Sequence, residues 1–386
     1  MFKAFNQKEI DKRVNSLRVL MRNQRLKACI ISSPENIFYF SGYDSWVSVN
    51  SPQALLIVEE DSIPCLLVRD VDLYLVMETA QLIDIRTYNL ISDSYADHLR
   101  VLLAEKFVTR GRVGIELGSY AVPTALGDSL RKHLKSLTII DSTLLLGDQR
   151  HIKSPTEIFY LEEAGKFANF GLETLYDSVK NGCTEISLAA DIEFALRSVG
   201  SDFWSIPTEL SSGNRTVGCH ATPRNKKIRP GELIHVEFAG VSARYHAVAI
   251  QTLAFGSPSA KAKELYDIGI ASLNAGISSI RPGVSVSKVE EASLEPLRAH
   301  GLEHAAMMRF GYGIGIAYPP VWLETLQITR GSKHVLKKNM VFVMHSCLQL
   351  LSENLGIIQG GTWILEETGL RMLAGAGPCA LKEINI

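Results

Sequence analysis

No run of about 18 apolar residues, the length a membrane-spanning helix needs, occurs in this 386-residue chain. Neither charge is in excess: 40 basic residues stand against 41 acidic ones, so no basic footprint points to nucleic acid. Met1 to Arg13 is polar and charged and lacks the apolar core of a signal peptide. The six cysteines, Cys29, Cys65, Cys183, Cys219, Cys347 and Cys379, are scattered, with no C-x-x-C pair. In a chain of this size that pattern argues against a disulfide framework and for reduced thiols in the cytoplasm. A glycine-rich phosphate loop is missing from the first half, which leaves a nucleotide role without support. Low-complexity tracts and short-period repeats are missing too. What remains is the composition of an ordinary soluble protein, 46% hydrophobic and 21% charged, long enough for two domains.

The pattern of the first half is α/β. Ile10, Val14, Leu17, Leu20 and Met21 recur at helical spacing, which predicts a surface helix over residues 8–26. A short buried strand, Ala28 to Ile31, follows, and Pro34-Glu35-Asn36 opens a short segment ending at Ser41-Gly42-Tyr43. Ala54 to Val58 and Cys65 to Val68 read as adjacent strands joined by a turn at Glu59-Glu60-Asp61-Ser62. Helix and strand patterns then alternate to Ile140. Near residue 150 the pattern changes. Ser154 reads as an N-cap, Pro155 as the first helical residue and Glu157 as the partner that closes a capping box. A long helix to about Asn181, a second at Thr184 to Val199, a β-rich stretch from Glu209 to Phe255, and a helix pair at Lys261 to Ile280 and Ser287 to His300 follow. The expectation is two domains, 1–150 and 151–386, the second of α+β class.

Several strings carry a family likeness. Val236-Glu237-Phe238-Ala239-Gly240 with Tyr245-His246, Gly311-Tyr312-Gly313-Ile314-Gly315, Val341 to His345, and Gln359-Gly360-Gly361-Thr362 resemble motifs of the creatinase and aminopeptidase P superfamily. The resemblance runs over nearly the whole chain. It implies a pita-bread catalytic domain, a smaller creatinase-type α/β N-terminal domain and a homodimer. It also marks five positions where the superfamily holds metal. Here they carry Glu237, Val248, Tyr312, His345 and Gly360, and a cation needs several converging carboxylates or imidazoles. The expectation is therefore no metal and no cofactor, as in the metal-free branch that contains creatinase and ectoine hydrolase. Gly42-Tyr43-Asp44-Ser45-Trp46, Arg244-Tyr245-His246 and Tyr318-Pro319-Pro320-Val321-Trp322 look most like ectoine hydrolase. The chain departs from the pattern at Ala247 to Thr252, at Gly360, where creatinase keeps a carboxylate, and at Val47 to Gln53, which matches neither enzyme.

The residues suggest a chemistry. Hydrolysing a C–N bond without metal needs a group to activate water and a group to protonate the departing nitrogen, and a histidine near neutral pKa can do both in turn. His220, in Gly218-Cys219-His220-Ala221-Thr222-Pro223, stands where the resemblance puts the creatinase catalytic histidine; the alternative is a satisfied loop histidine. Glu237 lies in an apolar strand, where an unpaired carboxylate is costly. Alternation puts it on one face with His235 and Ala239, opposite Val236 and Phe238. It suits a planar amidinium, as counter-ion or as nucleophile, the alternative being an ion pair with Arg244. Tyr312, His345, Tyr245 and His246 are expected to line the pocket, with Tyr318 and Trp322 as an apolar wall. Trp46 is expected to reach in from the N-terminal domain or from a second copy, or else to be core. Arg215 and Arg224 flank His220 and are candidates for a carboxylate. These expectations define a hydrolase of a small cyclic amidine, foremost ectoine opening to N-acetyl-diaminobutyrate. The alternatives are a creatinase-like amidinohydrolase, a repurposed biosynthetic enzyme acting on another heterocycle, and an inactive ligand-binding member. The expected partner is a small molecule, with neither nucleic acid nor membrane.

Overall fold

The computed structural model describes residues 3–47, 51–60, 62–81 and 84–385. Residues 48–50 of the Val47–Gln53 segment and Asp61 of the turn expected before β3 lie outside the described residues. The chain divides into two units, Met1–Arg150 and His151–Ile386. No described helix is long and apolar enough to cross a membrane.

In the first unit, α1 (Gln7–Gln24) starts at Asn6, whose side chain accepts the Glu9 N–H, and buries Ile10, Val14, Leu17 and Met21. It stops earlier than its periodicity predicts because Arg25 turns left-handed at φ 57°. β1 (Leu26–Ile31) follows, and the segment opened by Pro34 is a buried helix, α2 (Pro34–Ser41). Its start is held by Glu116, whose carboxylate accepts the Ser32 and Ser33 N–H groups and the Asn36 side chain at 2.6–2.8 Å, an anion placed where a helix N-terminus favours one. The strands β2 (Ala54–Val58), β3 (Cys65–Arg69), β4 (Asp84–Tyr88), β5 (Gly111–Ile115) and β6 (Leu137–Asp141) join β1 in the order β4-β3-β2-β1-β5-β6. The β2–β3 pair is antiparallel, as their adjacent apolar runs suggest, whereas β1–β5, β3–β4 and β5–β6 are parallel. Helices α3 (Leu73–Thr79), α4 (Tyr95–Glu105), α5 (Thr124–His133) and α6 (Thr143–Gly147) make up the rest. Leu99, Leu102 and Leu103 of α4 pack on Ile30, Leu56, Leu67 and Val113.

The second unit begins as its sequence indicates. Ser154 and Glu157 close a reciprocal capping box on α7 (Pro155–Ser178), and α8 (Glu185–Ser198) has its own, between Thr184 and Ser187. A second helix pair, α9 (Ala260–Ser279) and α10 (Val286–Ala299), matches the expected one within a residue. The strands are β7 (Glu209–Ser212), β8 (Leu233–Ser242), β9 (Tyr245–Phe255), β10 (Gly311–Tyr318), β11 (Val321–Ile328), β12 (Val341–Leu350), β13 (Leu355–Glu366), β14 (Gly369–Gly375) and β15 (Lys382–Ile384). Most form one sheet in the order β11-β10-β12-β13-β9-β8-β7, with β14 added beside β13 and β15 beside β9. The α7–α8 pair packs on Val236, Phe238, Ala247 and Ala249; α9 and α10 pack on Leu348 and Ile357, and on Phe342 and Met344.

The glycine run of β10 has a packing reason. A Cβ on Gly311 would lie 2.3 Å from the Val343 carbonyl, one on Gly313 would lie 2.8 Å from Leu326, and one on Gly315 would lie 2.6 Å from Glu324 Oε1. These glycines let β11 and β12 approach, and Gly315 makes room for a buried ion pair. Lys153 Nζ donates to both oxygens of Glu324 at 2.8 Å, with side chains 0% and 1% exposed.

Candidate active site

Helices occupy one face of the catalytic sheet, and strand alternation sends a second set of side chains to the other. On β8, Val236 and Phe238 go to the helices and Glu237 to the opposite side. On β12, Phe342, Met344 and Leu348 go to the helices and His345 to the opposite side. There a cavity of about 190 Å³ is lined by Glu209, His220, Glu237, Arg309, Tyr312 and His345, with Trp322 and Ile358 in its apolar wall. That volume falls below the ~300–1,000 Å³ of drug-sized sites and suits a small molecule.

Two carboxylates share one wall, because Glu209 of β7 stands directly opposite Glu237 of β8. Glu237 Oε1 accepts a 2.9 Å hydrogen bond from the Tyr312 hydroxyl. Burial pushes the Glu237 carboxyl up, and the Tyr312 hydrogen bond only partly opposes this. Burial, then the neighbouring Glu237 charge, pushes Glu209 up as well, and Glu209 Oε2 has no hydrogen-bond partner. Two buried like charges cost free energy that a cation between them offsets. The expected alternative for Glu237, an ion pair with Arg244, does not form: the Arg244 guanidinium stacks 4.0 Å from the Phe203 ring centroid.

His345 and Arg309 supply donors. His345 is 2% exposed, yet neither ring nitrogen has a hydrogen-bond partner. Burial, then the Arg309 charge, lowers its pKa to about 4, so it is a neutral imidazole with one N–H and one lone pair free. The Arg309 guanidinium is half-buried and makes no ion pair with any described residue. A guanidinium in that position matches a carboxylate bidentately.

His220 comes from a loop that the expected β-rich stretch did not distinguish. Between β7 and β8, residues 213–232 form a 3₁₀ turn, Gly213–Val217, and irregular chain. Fully buried Glu185 anchors it, accepting the Ser212 N–H at 2.8 Å and the Arg224 N–H at 3.0 Å. Arg215 pairs with the same carboxylate and donates to the Thr222 carbonyl at 2.8 Å, while Arg224 is exposed, so neither arginine serves the cavity. His220 Nδ1 lies 3.6 Å from Cys219 Sγ. The hydrogen bond with Cys219 and the Cys219 charge, then the charges of Glu209 and Glu237, push the His220 pKa up against burial, so that it is protonated near neutral pH.

Of the residues singled out from the sequence, His220, Glu237, Tyr312, His345 and Trp322 meet at this cavity. Three others of the same unit do not line it. Tyr245 donates to Glu157 Oε1 at 2.9 Å and stacks on Tyr160, tying β9 to the start of α7. His246 is neutral, its pKa lowered to about 3 by burial; its Nε2 accepts the Ser205 N–H at 3.0 Å and its Nδ1 lies 2.9 Å from the Arg244 carbonyl. Tyr318 is fully buried near Arg244. Trp46 belongs to the first unit and is 52% exposed. Sequence reasoning missed Glu209 and Arg309 as site residues. A glutamate on the strand that pairs with Glu237, and an arginine two residues before a glycine run that enters the pocket, were the available signals.

At the two remaining family metal positions, Val248 pairs with Ala239 at the far side of Glu237, and Gly360 pairs with His345. A Cβ on Gly360 would lie 2.2 Å from the Met344 carbonyl and 2.7 Å from the His345 Cβ.

Comparison with known proteins now bears on this cavity. Residues 160–371 match metallopeptidase family M24, and residues 13–152 match the creatinase/prolidase N-terminal domain. The chain is 28% identical over 377 residues to an uncharacterized hydrolase/peptidase of Sinorhizobium fredii, covering 95% of each. It is 25% identical over 389 residues to an ectoine hydrolase of Halomonas elongata, covering 96% of each. Among solved structures, the prolidase of Pyrococcus horikoshii matches with a TM-score of 0.82 at 20% identity, over 97% of this chain and 99% of that one, a likeness of fold.

Proposed function

Since the chain belongs to metallopeptidase family M24, a pita-bread hydrolase domain preceded by a creatinase-type domain, we propose that it is a hydrolase that has exchanged metal for an acid–base cavity and cleaves a C–N bond of a small zwitterionic cyclic amidine. Ectoine, opened to N-acetyl-diaminobutyrate, is the leading substrate. The observation that carries this reading is the Glu237–Tyr312 hydrogen bond at two positions where the family places metal ligands. It leaves an anionic wall facing the cation donors Arg309 and His220 across one small cavity.

The family name implies a metal, and the residues present do not fit one. Val248 and Gly360 bring no donor atom, and Tyr312 already donates to Glu237. In the catalytic unit no three described His, Cys, Asp or Glu side chains bring ligand atoms within 4.8 Å of one another. We therefore expect chelator-treated enzyme to retain its turnover. Metal analysis beside an NMR assay of ectoine, creatine and a dipeptide checks this. Stoichiometric bound metal, with activity that disappears on chelation and returns on reloading, would restore the peptidase reading. The absence of a carboxylate at Gly360 weighs against creatine.

In the proposed reaction the Glu237 and Glu209 carboxylates hold the amidinium, and Arg309 with His345 takes the substrate carboxylate. Water adds to the amidinium carbon, His220 gives the departing nitrogen the proton it needs as the C–N bond breaks, and the proton shed by the added water restores His220. A charge-assisted hydrogen bond contributes about 1.5–3 kcal/mol. Arg309→Ala is therefore expected to raise KM for a carboxylate-bearing amidine by about 10- to 100-fold while changing kcat less. Equal KM values for wild type and variant would remove Arg309 from the substrate site.

A further inference from the structure

One reactive group beside the cavity is left without a task by that scheme. Cys219 is a half-buried free thiol. Its Sγ lies 3.6 Å from His220 Nδ1 and 3.4 Å from Met308 Sδ, and both neighbours line the cavity. The thiol of Cys347, on β12, acts on the charge state of Cys219. Cys347 lies two residues beyond His345 on β12, so the two side chains leave the strand on the same face. An independent feature shows that the cavity is built for a polar ligand: His345 is 2% exposed with both ring nitrogens unpartnered and lines the same space.

The two thiols are not equivalent. The hydrogen bond from Cys347, with His220 second among the favourable causes, pulls the Cys219 thiol well below its ordinary range although burial opposes this. The same hydrogen bond and near-complete burial hold Cys347 as a thiol. With His220 3.6 Å away and its pKa raised, these directions favour a thiolate–imidazolium pair of Cys219 and His220. Glu237 is a weaker nucleophile than this thiolate, since a carboxylate oxygen is less nucleophilic than sulfur and Tyr312 occupies one of its oxygens.

We propose that Cys219 is the nucleophile of a covalent route to C–N cleavage in this cavity, with His220 as its proton partner. The proposal rests on the amidine-hydrolase reading above. The sulfur lone pair forms a C–S bond to the amidinium carbon, and the C=N π pair moves onto nitrogen. The C–N bond to the leaving nitrogen then breaks as that nitrogen takes the His220 proton, which leaves a thioimidinium on Cys219 and a free amine. Water adds to the thioimidinium carbon and gives a proton to His220. The C–S bond breaks with its electron pair returning to sulfur, and the hydroxyl proton passes to the freed amine. The products are an amide and an ammonium, and the thiolate–imidazolium pair is restored.

Two readouts test this on the full chain. The first is alkylation by iodoacetamide, followed by peptide mass spectrometry from about pH 5 to pH 9, spanning the ordinary thiol value of about 8.5. Cys219 is expected to label at a nearly constant rate down to mildly acid pH, with Cys347 unlabelled. In His220→Asn the Cys219 profile is expected to move up toward that of an ordinary thiol. Labelling of wild-type Cys219 only in alkali overturns the proposal, whatever the substrate. The second readout is acid-quenched intact mass during ectoine turnover. We expect a substrate-sized adduct that maps to Cys219, and in Cys219→Ser no adduct and kcat lower by at least about 100-fold. Wild-type turnover by Cys219→Ser, or an adduct on Glu237, overturns the proposal. Failure of the wild-type enzyme to open any amidine overturns the hydrolase reading and the covalent route with it, while the alkylation profile still decides whether Cys219 is an activated thiol.

Discussion

Replacement of His220 by alanine is expected to lower kcat/KM for the amidine by about 1,000-fold, roughly 4 kcal/mol of transition-state stabilisation. The reason is the state of the imidazole. Its hydrogen bond with Cys219 and the nearby Glu209 and Glu237 charges hold the proton on the ring, so it enters the reaction as an acid. The departing amine nitrogen is a poor leaving group unless protonated, and His220, held protonated, lines the cavity as its proton donor. The sign of the pH effect follows. A raised histidine pKa keeps the acid form as pH rises through neutrality, and activity falls only as pH passes through that raised value. The alanine variant is expected to lose this basic limb together with the rate. A variant within about 10-fold of wild type, with the limb intact, would remove His220 from the chemistry. A circular dichroism spectrum matching wild type, the result expected for so exposed a residue as His220, separates lost chemistry from lost folding.

The largest effect on stability is expected at the opposite extreme of burial. Lys153→Ala leaves Glu324 as a lone carboxylate that is 1% exposed. Breaking such a pair from one side costs about 3–5 kcal/mol, because the remaining charge has lost its partner without regaining water. At about 2–4 °C per kcal/mol for a domain of this size, the midpoint falls by roughly 6–20 °C. The double variant Lys153→Met with Glu324→Leu removes both charges and keeps much of the volume, so it is expected to recover most of that loss. Chemical denaturation followed by tryptophan fluorescence measures both. A single variant within about 1 kcal/mol of wild type would mean that the pair is not isolated from water in solution.

Much of this architecture is readable in local chemistry. Ser154, Pro155 and Glu157 announce α7 because a capping box is a property of four consecutive residues. The division of β8 into Val236 and Phe238 against Glu237 is likewise local, a matter of two-residue periodicity. The misplaced residues of the catalytic sheet share one cause, distance along a strand. Tyr318 follows Tyr312 by six residues on β10, which is about 20 Å of strand, so a motif that is continuous in sequence cannot surround one small cavity. Tyr245 sits five residues from Ile250, the partner of Glu237, and about 17 Å away along β9. Glu209 and Arg309 escaped for the converse reason. They reach the cavity only through strand pairing and chain reversal over tens of residues, and no window of sequence contains both them and their neighbours.

Gly360 gives the molecule a direction. Placing a glutamate ligand at that position meets a filled space: the Met344 carbonyl and the His345 Cβ lie 2.2 and 2.7 Å from where its first carbon would go. β12 and β13 are zipped over ten consecutive residue pairs, so they cannot yield at one point without disturbing the ladder. On the metal-free reading proposed above, the close strands act as a ratchet: a metal site lies several coordinated backbone moves away. Engineering a metal back into this scaffold is thus a problem of re-spacing two strands before it is one of choosing ligands.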